Sequence, residues 1–93
     1  MFTCTVEIFG LPEEIKNQQK VEVSLRDGAS LKDVIAVLKR KAPSLEGPVI
    51  RSGRDQLLDH FGFYVNGRCY ASDEDVQLKK GDHIVLLALA TGG

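Results

Sequence analysis

The group best placed to react in this 93-residue chain belongs to the main chain rather than to a side chain. The sequence closes Ala90-Thr91-Gly92-Gly93 behind an apolar run, Ile84-Val85-Leu86-Leu87-Ala88-Leu89. Lacking a Cβ, two successive glycines can lie flat in a channel too narrow for any side chain. The reactive group would be the α-carboxylate of Gly93, whose ordinary pKa of about 3.3–3.7 leaves it ionised and a poor electrophile at neutral pH. Acyl chemistry there requires activation by a partner. The competing reading is a loose terminus without a role, since chain ends tolerate change.

The side chains offer no rival. No Ser/His/Asp set, H-E-x-x-H motif, G-x-x-x-x-G-K loop or G-x-G-x-x-G fingerprint occurs, and His60 and His83 stand isolated as surface or strand-edge residues. The two cysteines, Cys4 and Cys69, have no metal-ligand spacing and read as free thiols, Cys4 packed in the core and Cys69 more accessible after a hairpin turn. Ser72-Asp73-Glu74-Asp75 lacks the ligand pattern of a calcium loop and reads as a solvated turn. Neither a metal nor a bound cofactor is expected.

A net charge of −1 and a pI near 6.1 give no basic footprint for nucleic acid, and the cluster Lys39-Arg40-Lys41 falls at a helix end, where cations complement the macrodipole. A hydrophobic fraction of 43% and a charged fraction of 27% argue for one folded domain, against disorder and against a membrane span. Phe2 to Phe9 alternates with Thr3, Thr5 and Glu7 instead of running apolar like an export leader, so the expected location is cytoplasmic.

The elements that must position the tail follow from periodicity. Phe2, Cys4, Val6 and Ile8 alternate with polar residues as a half-buried strand, and Val21, Val23 and Leu25 form a second, antiparallel to it. Ser30 and Asp33 make a capping box before Leu31, Val34, Ile35 and Leu38, which share one helical face, and Pro43 stops that helix near Lys41 or Ala42. Residues 43–59 show no sustained period and are expected to be a long irregular connection. Phe61, Phe63 and Val65 lead into Asn66-Gly67, a type I′ hairpin signal, with Arg68 to Tyr70 returning. After the turn Lys80-Gly81-Asp82, residues His83 to Leu89 are apolar on both faces, as in a central strand. Placing the first and last strands side by side and parallel, with the helix across one face, gives an α+β ubiquitin-like β-grasp of about five strands in a mixed sheet on one main helix. Residues 1–90 form the domain and 91–93 its tail.

Tyr64-Val65-Asn66-Gly67, then Leu78-Lys79-Lys80-Gly81-Asp82, then an apolar strand and the glycine pair together resemble the MoaD/ThiS sulfur carriers. The element order of nearly the whole chain shares in this resemblance. It implies that Gly93 is adenylated by an E1-like enzyme using ATP, converted to a thiocarboxylate and used as a sulfur donor, with Gly92 giving clearance and Ala90 and Thr91 giving reach. The extra length between Pro43 and Phe61 resembles the small subunit of molybdopterin synthase more than the thiamine-pathway carrier, so the implied acceptor is the molybdopterin synthase large subunit or another sulfur acceptor enzyme. Ala88-Leu89-Ala90 stands where that branch often carries two prolines. A protein modifier joined to lysines through Gly93 stays open as an alternative, as does a plain interaction domain.

A carrier needs a docking surface. If Ile84 and Leu86 face the helix, Val85, Leu87 and Leu89 turn to the opposite face. Leu87 and Leu89, extended by Tyr64 and Phe9, are the candidate partner-binding residues, unless residues 43–59 cover them.

Overall fold

The computed structural model describes residues 1–10, 20–70 and 76–88. Within them the sequence periodicities become five strands and one helix: β1 (Phe2–Ile8), β2 (Lys20–Leu25), α1 (Leu31–Lys41), β3 (Phe61–Val65), β4 (Arg68–Tyr70) and β5 (Ile84–Ala88). The sheet order is β2-β1-β5-β3-β4. β1 and β5 run parallel at its centre, with Ile8 level with Leu86, and every other pairing is antiparallel. This is the expected mixed sheet of a β-grasp.

α1 starts and stops on its own chemistry. The Ser30 backbone N–H donates to the Asp33 carboxylate at 2.9 Å, meeting one of the donors a helix start leaves open. At the far end the Ala42 N–H closes on the Leu38 carbonyl at 2.7 Å before Pro43 forces the chain into a short 3-10 turn, Pro43–Leu45. Lys39 meets Asp55 at 3.2 Å, and Lys41 donates to the Glu22 carbonyl on edge strand β2 at 2.7 Å. Two of the three cations in the cluster are therefore structural.

The alternation in β1 is carried through intact, with Cys4, Val6 and Ile8 inside and Thr3 and Thr5 outside. Leu31, Val34, Ile35 and Leu38 pack from the helix as its periodicity predicts, and Val37 joins them. The segment 43–59 is irregular, as expected, yet it is not peripheral. Leu45, Val49, Ile50 and Leu57 lie in the same core as Phe63, Ile84 and Leu86, and two isolated bridges, Glu46 with Ile50 and Ile50 with Leu57, tie the segment to itself. Its apolar residues are spaced to suit a folded-over connection, a geometry that has no sequence period.

Candidate functional site

The last described strand, β5, lies at the centre of the sheet. β5 is held by β1 on one side and β3 on the other, so its C-terminal end is one of the best-anchored points from which a chain can leave. Phe9 prolongs the β1–β5 ladder by donating its N–H to the Leu86 carbonyl at 2.9 Å. Ala88 is the last residue described. Of the residues the sequence singles out, Leu89, Ala90, Thr91, Gly92 and Gly93 lie outside the described residues, as does the acidic turn 72–75.

Ile84 and Leu86 are buried in the core shared with the helix, and Val85 and Leu87 turn to the opposite face and are half-buried. Pairing registers assemble that face. Glu7 is level with Val85, Val85 with Tyr64 and Tyr64 with Cys69, while Leu87 lies opposite Gly62, which puts no side chain against it. Phe9, 54% exposed, lies one residue past the Ile8–Leu86 pair, and the register continued by one step sets it beside Leu87. Leu87, Tyr64 and Phe9 are thus brought to one face. The buried side chains of residues 43–59, Leu45, Val49, Ile50 and Leu57, belong to the core that holds Ile84 and Leu86.

At the start of β5 the same face is polar. His83 Nε2 and Glu7 Oε1 are 2.9 Å apart, and this hydrogen bond is the first cause holding the Glu7 carboxyl below its ordinary value near 4.5. His83, isolated in the sequence, gains a partner only through the parallel β1–β5 pairing.

The two turns that carried the family resemblance form one clamp. Asn66 and Gly67 both take positive φ, 52° and 85°, the type I′ geometry that Asn-Gly predicts. Asn66 Nδ2 then donates to Asp82 Oδ1 at 3.0 Å, the His83 N–H donates to Asn66 Oδ1 at 2.9 Å, and the Lys79 N–H donates to Asp82 Oδ2 at 2.8 Å. Asp82 therefore locks the Lys79–Asp82 turn, ties it to the β3–β4 hairpin and fixes the entry of β5. Charge-assisted bonds of this type are worth about 1.5–3 kcal/mol, less at an exposed site. Asp82→Ala is expected to cost about 1–2 kcal/mol in urea denaturation, by the loss of both bonds.

The thiols divide as the sequence suggests. Cys4 is buried, its Sγ directed at the Lys79 carbonyl at 3.8 Å, and burial, helped by the Asp82 charge, pushes its pKa up. It is a packing residue and a poor nucleophile. Cys69 is exposed and free. Among the described residues no group of histidine, cysteine and carboxylate side chains is arranged to hold a metal, and no helix is long and apolar enough to cross a membrane.

Among the described residues a five-stranded mixed sheet, with β5 at its centre, and one α-helix define a ubiquitin-like β-grasp protein. The ThiS family matches residues 6–93, and the chain belongs to that family. Among solved structures it is similar to SAMP1 from Haloferax volcanii, at 24% identity and a TM-score of 0.78, over 98% of this chain and 99% of that one. It is also similar to the small archaeal modifier protein 1 from Methanosarcina acetivorans, at 23% identity and a TM-score of 0.72, over 100% and 98%. A putative molybdopterin converting factor, subunit 1, from Pyrococcus furiosus matches at 22% identity and a TM-score of 0.71, over 97% and 100%. No curated protein matches the chain.

Proposed function

We propose that this protein is a sulfur carrier that works through the carboxylate of Gly93, with molybdopterin biosynthesis as its pathway. Membership of the ThiS family over residues 6–93, a span that includes both the parallel β1–β5 core and the glycine pair, is the observation that carries the reading. The Gly93 carboxylate attacks the α-phosphorus of ATP within an E1-like enzyme, and pyrophosphate leaves. Hydrosulfide then attacks the carbonyl carbon of the acyl adenylate, AMP departs with the former carboxylate oxygen, and a thiocarboxylate remains. Its soft, anionic sulfur is the donor to a precursor held by the molybdopterin synthase large subunit or another acceptor enzyme. The chain supplies an atom, and its partners supply the active sites, the ATP-using one included.

The half-buried Leu87 and Tyr64 and the exposed Phe9 fit a docking face for those partners, continuous with the root of the tail, and Leu89 would extend it. Likeness to a molybdopterin converting factor subunit, together with the long 43–59 connection, favours this pathway over the thiamine one. Likeness to SAMP1 over the full chain favours one second reading, a modifier joined to lysines through Gly93.

Intact mass spectrometry should first show a chain ending at Gly93, then a gain of roughly 16 Da after incubation with the cognate activating enzyme, ATP and sulfide, one sulfur replacing one oxygen. A verified cognate enzyme that produces no gain would count decisively against the carrier. Branched glycine pairs on lysines of co-purifying proteins, without the mass gain, would transfer the assignment to the modifier.

A further inference from the structure

Gly10 stands where β1 leaves the sheet, directly against the end of β5. Its φ of 77° lies in the left-handed region that side chains avoid. A Cβ built there would lie 3.0 Å from the Ala88 Cβ and 3.4 Å from the Ala88 nitrogen. Carbon atoms prefer separations of about 3.5–4.0 Å, so the first contact is repulsive and Ala88 would have to move. At Gly28, Gly47, Gly53, Gly67 and Gly81, which also have positive φ, an added Cβ would meet nothing within 4 Å. Those five are turn glycines, whereas Gly10 is in addition a packing glycine.

We propose that Gly10 is a positioning residue for the tail: its missing side chain lets the end of β1 close onto Ala88 and fixes the position of Ala88, the root from which the tail is reckoned. The inference rests on the sulfur-carrier reading, in which the Gly93 carboxylate must reach an active site in another protein. An extended chain covers at most about 3.3–3.6 Å per residue, so the tail beyond Ala88 spans under about 18 Å and has little slack with which to absorb a displaced root. The candidate docking residues Phe9 and Leu87 are the chain neighbours of Gly10 and Ala88, just past β1 and on β5. The Gly10–Ala88 contact therefore sets the distance between where the protein is held and where its tail begins. Misplacement of a reacting group by about 1 Å can cost on the order of 100-fold in rate, and relief of a 3.0 Å contact needs a few tenths of that.

The test is ATP–pyrophosphate exchange with the full chain and its activating enzyme, paired with hydrogen exchange at the Phe9 amide. Gly10→Ala is expected to lower kcat about tenfold with KM for the carrier unchanged, because the docking side chains are intact while delivery is impaired. The double variant Gly10→Ala/Ala88→Gly removes the atom the new Cβ would strike and is expected to recover kcat to within about threefold of the wild type. The Phe9 amide should exchange faster in Gly10→Ala and recover in the double variant. An unchanged kcat in Gly10→Ala overturns the inference, as does a loss that the double variant keeps, which would assign the effect to backbone strain. If the wild-type chain is not activated at all, the sulfur-carrier reading fails by itself. The Phe9 amide then decides the contact, with unchanged exchange in Gly10→Ala overturning it.

Discussion

A chain lacking Gly92 and Gly93 is expected to fold as the full chain does and to lose the roughly 16 Da gain completely, because the acyl group to be exchanged is no longer presented by the glycine pair. The buried core of the described residues runs from Phe2 to Leu86 and draws on strands, helix and the 43–59 segment, so the truncation removes none of its residues. Changes away from buried features are usually within about 0.5 kcal/mol. For a domain of this size that corresponds to a Tm shift of no more than about 2–4 °C. Calorimetry and intact mass on the same sample separate lost chemistry from lost fold. Gly92→Val refines the test by restoring the length and the carboxylate while placing a branched side chain where clearance is required. If the truncated chain retained full biological activity, the glycine pair would have no role and a plain interaction domain would be left.

Phe63→Ala is expected to destabilise the protein by about 3–5 kcal/mol, a large share of the roughly 5–15 kcal/mol that small domains possess. Phe63 is fully buried on β3, level with Leu86 of β5 and Tyr70 of β4, in the core that also holds Leu45 and Ile50 of the 43–59 segment and Leu38 of the helix. Truncation removes its transfer free energy and leaves a cavity that rigid cross-strand neighbours cannot close. Urea denaturation should show the midpoint falling with little change in slope. Phe63→Leu, which keeps most of the volume, should cost much less. Equal losses in the two variants would mean that the site collapses freely and that its packing is not tight.

The regular elements were legible because local periodicity encodes them. Alternation in Phe2–Ile8 fixes which side of β1 is buried, Ser30 with Asp33 and Pro43 bound the helix, and Asn66-Gly67 dictates a turn needing two positive φ angles. The irregular 43–59 segment was legible only as irregular. Nothing in its spacing announces that Leu45, Val49, Ile50 and Leu57 are core, because a connection folded across a sheet end buries residues according to its path and not to a repeat. The docking residues were readable as a face, since Val85 and Leu87 alternate with Ile84 and Leu86, but not as exposed or covered.

By itself the sequence determined the strands, the helix and its ends, the turn types and the order that makes a parallel β1–β5 centre the best way to bury two apolar strands. It also displayed the glycine pair on which the proposed chemistry depends. Only the tertiary structure decided that Asn66 and Asp82 form one clamp, that His83 meets Glu7, that Leu87 faces Gly62 and stays half-exposed, and that Gly10 is pressed against Ala88. The physical reason is range. Periodicity and turn chemistry act over a few residues and are written locally, whereas these contacts depend on strand register and on which strands become neighbours, and those are settled only when the whole core packs.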